Sequence, residues 1–371
     1  MDEKRQEIID EIKNVAKMDA NEYTLYRKWE EIYSKNWTET DKIKIREVRN
    51  QLWMPKEVND YLKLEPELVF VDNDKDNKIW NILRVFCSSA HWNVSPGRLL
   101  RFYVRDKVTG QYMGIISLGS DFIALGGRDK YIGWTQEDKL KKGRLNYTAM
   151  GSTIVPTQPL GYNYVGGKLM SLLVLSDAVE NVWNRKYKEP LAGVSTTSLY
   201  GGFSQYNRLK YWRKCSSTLG KVILEPTNET FDKMKDWLKA NYQSEYDKLV
   251  ADTQVRGQLP KSHPKPKVVA LGYKKLKIKP PETNFSRGVY FGCLYKNTKE
   301  FLSFKDTELG EKAFDNSVEA LTNLWKEQYA SKRVINLTER DGFNFDSLFY
   351  DGLLELDWET AKSIYLKDVG R

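Results

Sequence analysis

The feature that most narrows the possible folds is a run at helical spacing, Leu169, Leu172, Leu173, Ser176, Val179, Val182 and Trp183, with strand-like segments on either side. A helix this apolar along one face cannot stand in water and has to lie on a sheet. Upstream, Met150-Gly151-Ser152-Thr153-Ile154-Val155 reads as a strand closed by Pro156; downstream, Leu191 to Thr197 reads as a strand, Ser204 to Lys214 as a short helix and Lys221 to Leu224 as another strand. Residues 146–226 therefore spell β-α-β-α-β, the pattern of helices packed over a sheet.

The flanks extend the pattern. Arg98 to Asp106 and Tyr112 to Leu118 form a predicted hairpin around Thr109-Gly110, the strand period also runs through Leu68 to Val71 and Ile79 to Phe86, and Arg287 to Tyr295 is a late strand. Helical stripes precede them: Ile8, Ile9, Ile12 and Val15, then Tyr26, Trp29, Ile32 and Tyr33, then Ile45, Val48 and Leu52 after a cap at Thr38 to Asp41 and before a stop at Pro55. Thr227 to Leu249, Thr307 to Lys332 and Asp357 to Lys367 read as later helices. The expected class is α/β (α+β), with a helical N-terminal extension (1–64), an α/β core (65–300) that includes a basic insertion (253–281), and a helical C-terminal region (301–371).

Composition bounds the chemistry. Hydrophobic residues make up 40% and aromatic residues 13% of 371, too much for a solvated disordered chain. Three widely spaced cysteines (Cys87, Cys215, Cys293) and two histidines (His91, His263) argue against a disulfide framework and a histidine-rich or cysteine-based metal centre, so no metal is expected. The start Met1-Asp2-Glu3-Lys4-Arg5 is charged and the apolar runs fall short of the ~18 residues of a spanning helix, which points to the cytoplasm and no membrane partner.

A formal charge of +9 favours polyanionic partners. The cations cluster as Lys139, Lys141, Lys142 and Arg144; as Arg208, Lys210, Arg213 and Lys214; and in 253–281, where Lys274, Lys275 and Lys277 belong to a stretch without an acidic residue, read as a basic loop followed by a basic strand. Interleaved Tyr206, Tyr211, Trp212 and Tyr273 suit stacking on bases, so DNA is the expected partner. Such charge runs also serve as plain solvated faces.

The strand end at Val155 leads into Gln158-Pro159-Leu160-Gly161-Tyr162-Asn163-Tyr164-Val165-Gly166-Gly167-Lys168, a glycine-rich turn that opens the long helix. Backbone N–H groups at such a helix start bind anions, so a diphosphate is the natural guest. Gln158-x-x-Gly161-x-Asn163 resembles the Gln/Arg-x-x-Gly-x-Gly/Ala loop of GCN5-related N-acyltransferases, with asparagine in place of the last small residue. The resemblance implies an acyltransferase-like mixed sheet flanked by helices, with Gln158, Gly161, Asn163, Tyr164, Gly166, Gly167 and Lys168 around acyl-CoA or another diphosphate-containing activated donor. Read from the residues alone, the glycines equally serve to shape a strand-to-helix turn.

A second resemblance rests on Gly97-Arg98-Leu99-Leu100-Arg101-Phe102-Tyr103-Val104, Gly114-Ile115-Ile116-Ser117-Leu118, Arg128-Asp129-Lys130-Tyr131-Ile132-Gly133-Trp134 and Ser217-Thr218-Leu219-Gly220-Lys221. These runs look like the DruA family of Druantia anti-phage defence and its phage-encoded relatives, and the outline is similar to Mom-type DNA-modification proteins. The resemblance implies work around DNA, with other phage or defence-system proteins as partners.

Three residues stand out as candidate catalytic groups. Asp129 lies with Arg128 and Trp134 in a Gly126-Gly127 turn; Arg128 and Trp134 join the expected DNA-contacting residues, and the Arg128–Asp129 pair is placed either to position a substrate or to brace the turn. His91 has a near-neutral intrinsic pKa suited to a base, or is a hydrogen-bonded loop residue. Tyr206 occupies a place where acyltransferase-like proteins put a general acid, and with Leu209 and Trp212 it also forms a plain core stripe. Ser195-Thr196-Thr197 offers hydroxyls at a strand end. The leading expectation is transfer of an acyl-like group to a DNA base; the alternatives are a non-catalytic DNA-binding subunit of a defence or mobile-element complex, and an acyltransferase acting on a small molecule or protein.

Overall fold

The computed structural model describes residues 2–19, 22–23, 25–27, 29–30, 38–87, 97–157, 160, 166–198, 204–218, 220–254, 265–284, 286–341, 357–360 and 362–363. Among these, seven strands form one mixed sheet: β1 (Pro66–Phe70), β2 (Leu99–Asp106), β3 (Tyr112–Ser120), β4 (Thr148–Pro156), β5 (Gly193–Thr197), β6 (Trp212–Ser217) and β9 (Gly288–Cys293), in the spatial order β1-β2-β3-β4-β5-β9-β6. Neighbours pair antiparallel except β4 with β5. The β2–β3 turn is fixed by Asp106, whose Oδ2 accepts from both the backbone N–H and the hydroxyl of Thr109, and by Gly110 at φ +72°. The strand expected at Lys221 to Leu224 is β7 (Lys221–Ile223), which leaves the main sheet and pairs with β8 (Glu282–Asn284).

Eleven α-helices are described: α1 (Asp2–Val15), α2 (Glu39–Arg49), α3 (Asp74–Leu83), α4 (Gly126–Ile132), α5 (Gly166–Leu173), α6 (Asp177–Tyr187), α7 (Asn228–Gln254), α8 (Lys265–Leu276), α9 (Thr298–Leu302), α10 (Val318–Trp325) and α11 (Ser331–Asn336). On one face of the sheet α5 buries Leu169, Met170, Leu172 and Leu173 completely, each contributing about 1.5–3 kcal/mol relative to exposure. From the 301–371 stretch, Leu321, Trp325, Ala330, Val334 and Leu337 join the same core. A separate cluster unites α1 (Ile8, Ile9, Ile12) with α7 (Met234, Trp237, Leu238) and α8 (Val268, Val269, Tyr273, Leu276).

Several expectations are corrected. The long helix is two helices, broken at Val174–Ser176, because the freed groups find partners from far along the chain: Asn316 Nδ2 donates to the Leu175 carbonyl (3.3 Å) and Asp177 N–H to the Asn316 carbonyl (2.8 Å). Ile79 to Phe86 belongs to α3 and a following 3-10 turn, started by Asn73, whose side chain accepts from Asp76 N–H. Ser204 to Lys214 is a turn running into β6, with Arg208 and Tyr211 in left-handed conformation (φ +55° and +71°). Lys265 to Leu276 is helix, not loop and strand; the alternating Lys275-Leu276-Lys277-Ile278-Lys279 mimics a strand, while Val268, Val269, Gly272, Tyr273 and Leu276 form the helical stripe that packs. The helix expected from Thr307 begins only at Val318, where Ser317 Oγ caps Ala320 N–H.

Candidate functional site

β4 and β5 are hydrogen-bonded over only three register pairs, Thr148↔Gly193, Ala149↔Val194 and Met150↔Ser195, although β4 continues to Pro156 and β5 to Thr197. Where the pairing stops, β4 slips against β3: Ser117 pairs with Thr153 and Leu118 with Gly151, leaving Ser152 as an inserted residue. A bulge of this kind bends the strand and re-aims a side chain. Ser152 is accordingly exposed on a strand that is otherwise buried or half-buried, and its hydroxyl donates to the Ser117 carbonyl (3.4 Å) and Oγ (3.3 Å). Opposite the bulge, Thr196 Oγ1 donates to the Gly151 carbonyl (2.9 Å), a side-chain bond in place of a ladder bond.

Tyr206 comes to the same place from the other side. Its ring packs at 4.9 Å from Trp212 and 5.1 Å from Tyr290, and its hydroxyl shares hydrogen bonds with the side chains of Thr196, Gln205 and Ser171. Burial pushes its pKa up against those bonds, so the phenol holds its proton at neutral pH. Gln205 Nε2 donates to the Ile154 carbonyl (2.8 Å) and Ser171 Oγ to the Gly167 carbonyl (2.9 Å), which ties the phenol to β4 beyond its pairing with β5 and to the first turn of α5. The arrangement suits a proton donor and not a resting base.

Of the glycine-rich turn, Gln158, Gly161, Asn163 and Tyr164 lie outside the described residues, as does His91. Gly166, Gly167 and Lys168 begin α5. A Cβ on Gly166 would sit 2.4 Å from Leu160 Cγ and 2.9 Å from the Leu160 carbonyl, so close packing alone requires that glycine, whereas one on Gly167 would displace the end of the Gln205 side chain, 2.7 Å away at Oε1. Lys168 Nζ donates to the carbonyls of Gln205 (3.2 Å) and Asn207 (2.8 Å) and stands over the Tyr329 ring; burial lowers its pKa.

The Arg128–Asp129 pair sits on the short helix α4, not in an open turn, and forms the centre of a buried charge network. Arg128 is fully buried, contacts Asp121 Oδ1 (2.5 Å) and Asp129 Oδ1 (2.7 Å), and donates to the Phe122 carbonyl (2.7 Å). Asp129 also accepts from Trp134 Nε1 (2.9 Å) and Lys139 Nζ (2.7 Å). Burial raises the Asp129 pKa, but the bonds from Lys139, Trp134 and Arg128 outweigh it and hold the carboxyl below its usual value. Asp121 Oδ2 accepts from Ser195 Oγ (2.7 Å), which joins the network to β5. The approach is close enough that a Cβ on Gly127 would lie 1.8 Å from Ser216 Oγ on β6.

With this geometry in place, comparison with known proteins is decisive for kinship. The family model described as Druantia protein DruA matches residues 14–303, which include every strand of both sheets. The chain belongs to the DruA family. A curated Druantia protein DruA from Escherichia coli (strain UMEA 4076-1) is 29% identical over 160 residues, covering 38% of this chain and 39% of that relative's length. No solved structure matches.

The surface of this DruA-family chain is less basic at the named positions than its sequence reads. Arg128, Trp134, Lys139 and Arg144 are buried, Arg144 with its guanidinium 3.7 Å from the Phe301 ring centroid and 4.1 Å from that of Phe304. Exposed cations are Lys141 and Lys142; Arg208 and Lys210 on the strained turn; Arg213 and Lys214 on edge strand β6; and Lys274 and Lys277, while Lys275 pairs with Glu245. Among the described residues no cluster of histidine, cysteine and carboxylate side chains could hold a metal, and no helix is long and apolar enough to cross a membrane. Burial pushes the thiols of Cys215 and Cys293 up to about 12 and about 11, so neither is a ready nucleophile. Sequence reasoning missed Ser152 and Asp121: a bulge has no local signature, and the Ser195–Asp121 bond spans 74 residues.

Proposed function

We propose that this DruA-family chain is a DNA-directed transferase on an N-acyltransferase-like core, with its reaction centre where β4 parts from β5. The observation that carries the reading is that Tyr206, buried and protonated, meets Thr196 opposite the Gly151–Ser152 bulge. Supporting it is the succession β4, glycine-rich turn, α5, α6, β5, β6 and, after β7, α7, α8 and β8, β9, which keeps the strand order of an acyltransferase scaffold although the long helix is broken in two and the short helix expected between β5 and β6 is a turn. Where the ladder stops, side chains take over, Thr196 Oγ1 on the Gly151 carbonyl and Gln205 Nε2 on the Ile154 carbonyl, and an elongated amide-bearing ligand would exchange with these bonds to pair with β4 as an added strand does.

The turn around Gly161 and the start of α5 would hold the donor's diphosphate, and a bound thioester would supply an activated acyl carbon. The exocyclic amine would form the C–N bond as the C–S bond breaks, the departing sulfur would take the Tyr206 Oη proton, and the proton lost by the amine would return through solvent to the phenolate, with Thr196 and Gln205 keeping the phenol aimed. Ser152, the exposed hydroxyl on the bulge, is placed to hydrogen-bond the incoming exocyclic amine. Cations on β6 and on the 204–211 turn would hold the DNA backbone, and a base inside a duplex would have to leave the stack first. By kinship, other defence-system proteins are proposed partners.

A second reading is a DNA-binding subunit without catalysis. It is favoured by Lys168, which spends its donors on Gln205 and Asn207, and by the packing of Gly166 and Gly167 against Leu160 and Gln205. Titration calorimetry with acetyl-CoA, beside DNA binding by anisotropy, separates the two. Wild type is expected to bind both, and Gly161→Trp to lose the donor while keeping DNA. No donor binding by wild type, or equal loss of both in the variant, would overturn the transferase reading.

A further inference from the structure

The loop between β3 and α4 presents two large apolar side chains to solvent: Phe122 is 49% and Ile123 57% exposed, directly after the buried Asp121. Exposed apolar residues scattered singly need no explanation, but this pair is fixed from beneath by charged groups. Arg128 donates to the Phe122 carbonyl (2.7 Å), Lys139 Nζ to the Ile123 carbonyl (2.9 Å), Phe122 N–H to Asp121 Oδ1 (2.8 Å) and Leu125 N–H to Asp129 Oδ2 (3.3 Å). Four backbone groups of one five-residue segment are thus held by the four members of the buried charge network. Burying such a network is weak for stability compared with apolar packing. What it achieves is a preorganised apolar tip whose ordering cost is met before any partner arrives.

We propose that Phe122 and Ile123 form a wedge that enters the base stack of bound DNA. The inference rests on the DNA-binding reading above and deepens it. The partner is chosen by charge: across 121–144 the exposed charged residues are Lys130, Lys141 and Lys142 against a single carboxylate, Glu137, and Leu140 adds a further exposed apolar side chain (52%) beside Lys139. Exposed cations on the elements that hold the apolar tip, Lys130 on α4 beside Arg128 and Lys141 and Lys142 just after Lys139, match the phosphates flanking a base step, and Phe and Ile are residue types that unstack such steps. A fluid lipid surface does not require a rigidly held tip; a base step, with its fixed spacing, does. The wedge also supplies the unstacking that a base must undergo to reach the β4–β5 gap.

The test uses the full chain and a DNA duplex carrying 2-aminopurine, whose fluorescence rises on unstacking. Wild type is expected to raise the signal. Phe122→Ala/Ile123→Ala, at surface positions and with unchanged Tm, is expected to bind about ten-fold more weakly with no rise at saturation and the same salt dependence, and Phe122→Trp to restore the signal. Equal affinity and equal signal for wild type and the double variant would overturn the wedge while leaving DNA binding standing. Absence of wild-type binding to DNA would overturn the DNA reading itself. Loss of binding to phosphatidylserine vesicles in the double variant, with DNA binding intact, would overturn the wedge in favour of a lipid surface.

Discussion

Replacing Arg128 by methionine distinguishes a structural cation from one that meets DNA. The change keeps an unbranched apolar stem but removes the guanidinium that lies against Asp121 and Asp129. Asp121, whose side chain is wholly buried, would keep only the Ser195 hydroxyl and the Phe122 N–H. Removing one partner from a buried ion pair costs about 3–5 kcal/mol, because the remaining charge is left without compensation. At ~2.1 cal/mol/K of unfolding entropy per residue, a loss of ~4 kcal/mol lowers the Tm of a chain of this length by about 5 °C. The assay is thermal unfolding by circular dichroism, paired with DNA binding at several salt concentrations. A clear fall in Tm with an unchanged salt slope is expected, since Arg128 does not reach solvent. A Tm within about 1 °C of wild type, together with a shallower salt slope, would refute the burial argument and return Arg128 to the DNA-facing set.

Asp129 gives a pH signature: its folded pKa is depressed, so its contribution is present above the ordinary carboxylate range and is lost as pH falls through the depressed value; Asp129→Asn should flatten the acid limb of the stability profile. Arg213→Ala/Lys214→Ala on edge strand β6 should reduce the slope of log K against log salt by about 2, read by anisotropy, with Tm unchanged. Gly127→Val should lower soluble yield and Tm, because its side chain would enter the space of Ser216 Oγ on β6.

Much of the fold was legible where local pattern and tertiary need agree. The β2–β3 hairpin announced itself through alternating residues about Thr109-Gly110, and β4, β5 and β9 stand where apolar runs end at turns. Legibility failed where distant residues decide. The break at Val174–Ser176 depends on Asn316, and the turn at 204–211 takes left-handed angles at Arg208 and Tyr211, residue types that give no warning of it. At the site, Tyr206 was named for its position, yet its link to the Gly151 bulge runs through Thr196, which only the folded sheet supplies. The basic runs misled most: Lys139 and Arg144 read as surface charge, because neither the Asp129 carboxylate nor the Phe301 and Phe304 rings that receive them are neighbours in sequence.

The most direct measurement is nucleoside mass spectrometry on DNA incubated with the purified chain and acetyl-CoA, wild type against Tyr206→Phe. A new acylated nucleoside with wild type, formed about 10²–10⁴-fold more slowly by the variant at neutral pH, is the expected result. Unaltered nucleosides with wild-type protein that binds both DNA and donor, or equal rates for the two proteins, would contradict a reaction centre at the parting of β4 and β5.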